Sequence, residues 1–104
     1  MQLGIDLVYI PEFKQRIEQH SILEKIFTPD ELKQNPRAES LAGIFASKEA
    51  LFKAIGKKID WLDIWVEKNE SGKPEMHSTH KDLDKITISI SHSGDYATAI
   101  VSIE

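Results

Sequence analysis

Hydrophobic and polar residues alternate along residues 2–8, which is the pattern of a strand with one buried face. Alternate positions divide between two faces, one with Leu3, Ile5 and Leu7 and the other with Gly4, Asp6 and Val8. Four further β-rich stretches follow at 63–68, after Pro74, at 85–91 and at 96–103. Polar and glycine-containing turns at 70–74 and 92–95 separate these stretches. The pattern therefore predicts five strands.

Helical spacing and capping residues predict three helices between the first two strands. Pro11 suits the first turn of a helix that runs to about residue 19. The segment Thr28–Glu31 has the form of a capping box, which starts a short helix. A longer helix is predicted for Arg37–Ile55, ended by Gly56. The fold class that follows is α+β, an antiparallel sheet with a long central helix packed on it.

The long helix carries an apolar stripe formed by Leu41, Ile44, Phe45, Leu51, Phe52 and Ile55. Lys48 falls within the stripe, so its ammonium group either reaches water along the apolar surface or binds a buried anion. Glu49 and Lys53 lie one turn apart at its edge, where such a pair is most often a surface ion pair. Beside them runs a band of small residues, Ala42, Gly43, Ala46 and Ala50. We expect this band to admit a ligand or another subunit.

Composition narrows the class of protein. The chain has 104 residues, a formal net charge of −4 and no cysteine. We therefore expect a single domain at 1–104, without disulfide or thiolate chemistry and without general nucleic-acid binding. No apolar run approaches the ~20 residues of a membrane span, and the N-terminal stretch lacks the basic segment of a signal peptide. The chain is predicted to be cytoplasmic, with neither a nucleic-acid nor a membrane partner.

Two carboxylates are candidate metal ligands. Asp6 lies in a predicted strand, where aspartate is disfavoured, although a solvent-facing side chain is the simpler alternative. A bound Mg²⁺ would explain an aspartate at this position, because this ion typically binds one or two carboxylates and completes its shell with water and substrate phosphates. A strand aspartate and a helix glutamate such as Glu49 are a sufficient contribution.

Three histidines are candidates for binding chemistry. His92 stands between Ser91 and Ser93 at a strand end, where an imidazole, hydroxyls and turn N–H groups can surround a phosphate. A plain turn histidine is the alternative. His77 and His80 are three residues apart, but no further ligands converge with them, so both are assigned to a loop.

The order of these features resembles one family. A Gly-Ile-Asp strand, F-T-x-x-E, F-A-x-K-E-A-x-x-K-A-x-G, a G-K-P turn and S-x-S-H-S follow one another along essentially the whole chain. The arrangement is similar to that of 4′-phosphopantetheinyl transferases of the holo-acyl-carrier-protein synthase type. The resemblance implies Mg²⁺-dependent transfer of 4′-phosphopantetheine from coenzyme A to a serine of an acyl carrier protein, releasing 3′,5′-ADP, in fatty acid biosynthesis.

The resemblance also implies roles for individual residues. Asp6 and Glu49 would bind Mg²⁺, and Lys53, with Lys48 nearby, would face the coenzyme A phosphates. Glu49 and Lys53 would be catalytic, the former taking the serine proton directly or through water and the latter stabilising the leaving group. Further coenzyme A contacts would come from Gly72, Pro74, Ser91 and His92. Members of this class are typically homotrimers with sites between subunits.

Three positions depart from the family pattern and keep other functions open. Tyr9 stands where an acid is common, and Glu12 and Ile44 stand where arginine is common. These changes leave open a non-catalytic relative that binds coenzyme A or a carrier protein. A generic Mg²⁺-dependent phosphate-ester hydrolase is a third hypothesis, but it needs more acidic ligands on one face than the sequence offers.

Overall fold

The computed structural model describes residues 1–19 and 21–104. Within these ranges the elements are β1 (Gln2–Tyr9), α1 (Ile10–Gln19), α2 (Leu23–Ile26), α3 (Pro29–Gln34), α4 (Ala38–Ile55), β2 (Ile64–Lys68), β3 (Pro74–Ser78), β4 (Ile86–Ser93) and β5 (Tyr96–Ile103). A 3-10 turn at Trp61–Asp63 precedes β2. The predicted α+β class is therefore confirmed. None of the helices in the described ranges is long and apolar enough to cross a membrane.

The strands form two sheets rather than the single sheet that we expected. Strands β1, β5 and β4 form an antiparallel sheet in that order, whereas β2 and β3 pair only with each other among the described residues. β3 lies beside β4 without joining its ladder. A hydrogen bond of 3.0 Å from Thr79 N–H to the Asp63 carbonyl continues the β2–β3 pairing by one residue pair beyond Ile64 and Ser78.

Helix α4 packs closely on the inner face of the larger sheet. A Cβ atom on Gly4 of β1 would collide with the carbonyl oxygen of Ala50, so glycine is needed for this approach. The small-residue band of α4 is buried, with Ala42, Ala46 and Ala50 each 0% exposed. Our expectation that this band admits a ligand or another subunit is therefore wrong, because the chain's own strands already cover it.

The opposite face of this sheet is exposed, and we call it the outer sheet face. Its apolar part consists of Leu3, Ile5, Leu7, Tyr9, Tyr96 and Ile100, each 44–64% exposed. Its polar part lies on β4 and carries the hydroxyl groups of Thr87, Ser89 and Ser91. Exposed apolar patches of this kind are typical of interaction surfaces. The predicted division of β1 into two faces is confirmed, and Leu3, Ile5 and Leu7 lie on the outer sheet face.

Strand β4 extends further than its sequence pattern indicated. Ser93 pairs with Tyr96 across β4 and β5, so the turn consists of Gly94 and Asp95 alone. Gly94 has a φ of +54°, a backbone conformation that glycine adopts without a Cβ penalty. The predicted turn at 92–95 is therefore too long, and His92 lies within the strand.

Candidate functional site

The lysine within α4 is part of a buried ion pair. Lys48 is 0% exposed and its partner Glu31 is 1% exposed. Lys48 Nζ donates to Glu31 Oε1 at 2.8 Å, to the Ile26 carbonyl at 2.7 Å and to the Trp61 carbonyl at 3.1 Å. Burial lowers the pKa of Lys48, and the neighbouring Glu31 carboxylate opposes only part of that effect. The prediction that Lys48 faces coenzyme A is wrong, because all three ammonium hydrogens are bound inside the chain.

Glu31 connects this lysine to the capping of α3. Its Oε1 also accepts from Thr28 N–H at 2.9 Å, and Thr28 Oγ1 accepts from Glu31 N–H at 3.2 Å, which confirms the predicted capping box. Its Oε2 accepts from Val66 N–H at 2.8 Å in β2. The sequence alone did not predict this second role of Glu31. A lysine inside an apolar stripe was the available signal, since a buried ammonium needs an acidic partner.

Asp6 and Glu49 line one open groove of about 350 Å³, which we call the carboxylate groove. It runs between β1, α1 and α4, and its other lining residues are Leu7, Val8, Tyr9, Glu12, Phe13, Arg16 and Phe45. The Asp6 side chain is recessed, at 14% exposure, and Glu49 is half-buried. No described residue donates a hydrogen bond to the Glu49 carboxylate. The fold thus brings together two carboxylates that lie 43 residues apart in sequence.

The donor set of the carboxylate groove fits Mg²⁺. Mg²⁺ is typically held by one or two carboxylates, with substrate phosphates and water supplying the remaining oxygens. Glu49 is free to accept such an ion, and Asp6 uses only Oδ1 in its side-chain bond to Lys53. In the described part of the chain no three acidic or histidine side chains converge tightly enough to enclose a metal. A divalent ion held by these two carboxylates would therefore have its remaining positions open to water or to a phosphate.

Lys53 lies at the edge of this groove and pairs with Asp6. Lys53 Nζ donates to Asp6 Oδ1 at 2.9 Å and to the Ile5 carbonyl at 3.1 Å. Its side chain is 55% exposed, and one ammonium hydrogen has no acceptor among the described residues. Lys53 thus orients the Asp6 carboxylate and retains a donor for an incoming anion. The predicted contact with the coenzyme A phosphates stays a prediction.

His92 lies in a separate cavity of about 210 Å³, which we call the histidine cavity. Its Nε2–H donates to the Glu39 carbonyl at 2.9 Å, which fixes the imidazole against the start of α4. A Cβ on Gly43 would lie 3.1 Å from the ring, so the small residue at this position allows the contact. Pro74 lines the same cavity together with Ile44 of α4, and its contact with coenzyme A stays a prediction. This cavity has no lining residue in common with the carboxylate groove.

Two other predicted coenzyme A contacts lie outside the histidine cavity. Ser91 is on the outer sheet face, because neighbouring residues of a strand point to opposite sides. The Ser91 and His92 side chains therefore do not lie in the same cavity of one chain, which corrects their pairing, and the contact of Ser91 with coenzyme A stays a prediction. Gly72 is at the tip of the β2–β3 hairpin with a φ of +86°, where Asn69 Oδ1 accepts from two backbone N–H groups. The turn explains this glycine, and its substrate contact stays a prediction.

The two other histidines of the described residues, His77 and His80, form two separate carboxylate pairs. His77 lies in β3 rather than in a loop, with Nε2 3.1 Å from Glu67 Oε1 and its ring stacked on Trp65. His80 Nε2 lies 3.0 Å from Asp63 Oδ2. Neither histidine lines the carboxylate groove or the histidine cavity, although Glu67, the partner of His77, lines the histidine cavity.

Sequence comparisons identify relatives over nearly the whole chain. The sequence model of the 4′-phosphopantetheinyl transferase superfamily matches residues 2–101. A holo-[acyl-carrier-protein] synthase of Geobacillus sp. (strain WCH70) is 39% identical over 113 residues, covering 98% of this chain and 94% of the relative. One from Chlorobaculum parvum is 38% identical over 117 residues, covering 100% of this chain and 98% of the relative.

Solved structures share the fold. The holo-[acyl-carrier-protein] synthase of Helicobacter pylori in complex with coenzyme A has a TM-score of 0.90 and 28% identity, covering 98% of this chain and 99% of that one. The Bacillus anthracis synthase in complex with coenzyme A (3′,5′-ADP) has a TM-score of 0.82 and 31% identity, covering 96% of this chain and 92% of that one. The predicted fold and family are both confirmed, and the chain belongs to the 4′-phosphopantetheinyl transferase superfamily.

Proposed function

We propose that this chain transfers 4′-phosphopantetheine from coenzyme A to a serine of an acyl carrier protein, with Mg²⁺ as cofactor, and releases 3′,5′-ADP. The observation that carries the proposal is the shared groove of Asp6 and Glu49, with Lys53 bound to Asp6 at its edge. Curated relatives named holo-[acyl-carrier-protein] synthase and a relative solved with coenzyme A support it. Such a reaction belongs to fatty acid biosynthesis in the cytoplasm.

The chemistry needs one bond made and one broken. The serine oxygen attacks the phosphorus of phosphopantetheine, and the phosphorus–oxygen bond to the nucleotide breaks. When bound by Asp6 and Glu49, Mg²⁺ supplies charge neutralisation at the pyrophosphate. Glu49, which has no hydrogen-bond donor among the described residues, accepts the hydroxyl proton directly or through a water molecule. Lys53 holds Asp6 in place and directs its remaining N–H toward the charge that develops on the leaving phosphate.

Mass spectrometry of an apo carrier protein incubated with coenzyme A, Mg²⁺ and this chain tests the proposal. Transfer adds the mass of one phosphopantetheine to the carrier. A non-catalytic binding protein leaves both the carrier and coenzyme A unchanged, and a phosphate-ester hydrolase consumes coenzyme A without modifying the carrier. Glu49→Gln should abolish the gain in mass. Glu39→Gln is the matched control, because Glu39 is an exposed residue of the same helix outside the carboxylate groove.

We further propose that the working form is a homotrimer whose sites combine two chains. Coenzyme A has to reach the metal carboxylates with its pyrophosphate and His92 with its nucleotide end. Within one chain these residues line cavities that share no residue. The apolar outer sheet face provides a surface for a second chain. A groove from one chain and a histidine cavity from its neighbour would then form one site.

Mixing two inactive variants tests this arrangement. Glu49→Gln removes the carboxylate from one side of the proposed site, and His92→Ala removes the imidazole from the other. Co-refolded mixtures should regain activity, because some sites then pair an intact groove with an intact cavity. Mixtures no more active than either variant, or a fully active monomer in light scattering, would contradict the shared site.

A further inference from the structure

The histidine cavity contains one ammonium group and no guanidinium group among the described residues. Lys68, at the end of β2, is the lining lysine, and it forms no ion pair with any described residue. Glu67 lines the same cavity and brings the opposite charge. His92 already uses Nε2 to bind the Glu39 carbonyl. The cavity therefore offers little net positive charge to an anion.

The rest of the lining is apolar or uncharged. Ile44 is 4% exposed and occupies the helix side of the cavity, while Val66, Pro74 and Ile90 supply strand side chains. Gln34 and Asn35 add amide groups. Apolar walls with a few amide groups suit a flat heteroaromatic base. They do not suit a phosphate dianion, because desolvating a charge without a matched partner is unfavourable.

We propose that this cavity does not select for the 3′-phosphate of coenzyme A, so the chain also uses dephospho-coenzyme A as a phosphopantetheine donor. This inference rests on the proposed function. Lys68 supplies the residual preference for coenzyme A, which amounts to less than about tenfold because an exposed ion pair contributes weakly in water. Ile44, where the family pattern has arginine, lines the cavity with an apolar side chain, so Lys68 is its one ammonium or guanidinium group among the described residues.

The alternative donor requires no change in chemistry. The serine oxygen forms the same bond to phosphorus, and the same phosphorus–oxygen bond to the nucleotide breaks. Glu49 takes the serine proton in both cases. The leaving group is 5′-AMP from dephospho-coenzyme A and 3′,5′-ADP from coenzyme A, so the two products identify the donor that was used.

Steady-state kinetics with both donors test the inference. We expect a ratio of kcat/KM for coenzyme A over dephospho-coenzyme A below about ten, with 5′-AMP released from the latter. Lys68→Gln should bring the ratio close to one by lowering kcat/KM for coenzyme A alone. Lys73→Gln, in the exposed hairpin turn outside the cavity, is the matched control and should leave the ratio unchanged.

Each other outcome overturns a stated part. A ratio above about ten shows that the 3′-phosphate is bound by more than one exposed ammonium group and overturns the inference while the proposed function stands. An equal loss with both donors in Lys68→Gln overturns the role of Lys68. Transfer from neither donor overturns the proposed function and, with it, this inference.

Discussion

Replacing Lys48 by methionine should destabilise the protein strongly while leaving coenzyme A binding intact. Methionine keeps much of the length of the lysine side chain but removes the ammonium group. Three hydrogen bonds are then lost, and the carboxylate of Glu31, only 1% exposed, is left in the interior without its cation. The carbonyls of Ile26 and Trp61 lose the same donor.

The size of the effect follows from this burial. Removing one partner of a buried ion pair costs about 3–5 kcal/mol, because the other charge stays uncompensated. A small domain has a free energy of unfolding of about 5–15 kcal/mol, so Lys48→Met removes a large part of it. At about 4 °C per kcal/mol, the melting temperature should fall by at least ~12 °C.

Urea unfolding at one fixed chain concentration measures the change. Lys57→Met is the matched control, since Lys57 is exposed and follows α4, and its effect should stay within about 0.5 kcal/mol. The double variant Lys48→Met/Glu31→Gln should lose less free energy of unfolding than the two single variants together. The difference should be about 0.5–3 kcal/mol. Loss of less than about 1 kcal/mol in Lys48→Met would refute the buried pair. A raised KM for coenzyme A at unchanged stability would instead restore the original prediction that Lys48 contacts the substrate.

Four further substitutions test the groove, the carrier surface and the assembly. Lys53→Ala should lower kcat by roughly 10²-fold and coenzyme A affinity by less, and an unchanged kcat would remove Lys53 from the reaction. Glu12→Arg should speed reaction with an acidic carrier at low salt, with a gain that shrinks as salt rises, and Arg16→Glu should slow it. No effect of Glu12→Arg at any salt concentration would show that α1 does not meet the carrier. Ile5→Asp should convert the proposed trimer to a monomer in light scattering, and a trimer that persists would exclude the outer sheet face as its interface.

The elements were predictable because their signals are local. The alternation of β1, the capping box at Thr28 and the Gly56 end of α4 each depend on residues close in sequence. Lys48 shows the limit of such signals. Helical spacing placed it in an apolar stripe and left two environments open, but the spacing of one helix does not reveal which element packs against it. The carboxylate that binds Lys48 belongs to Glu31 of α3, which lies 17 residues earlier in the sequence.

The candidate site was predictable in its residue types and only partly in its arrangement. Asp6 and Glu49 were paired through resemblance, and the fold brings both to one groove. Ser91 and His92 were paired because they are neighbours in the sequence, but strand geometry directs them to opposite faces. Predicted contacts lie in two different cavities, one beside β1 and the other beside β2, β3 and β4, and α4 contributes to both. This arrangement depends on tertiary packing, so the sequence pattern did not reveal it.

The most direct measurement of the central claim compares two products in one reaction. An apo carrier protein, coenzyme A, Mg²⁺ and this chain are incubated together, and the carrier mass and the released 3′,5′-ADP are measured over time. We expect one 3′,5′-ADP for each phosphopantetheine attached to the carrier, with both products lost in Asp6→Asn. Release of 3′,5′-ADP without a gain in carrier mass, or transfer that continues unchanged in Asp6→Asn, would contradict it.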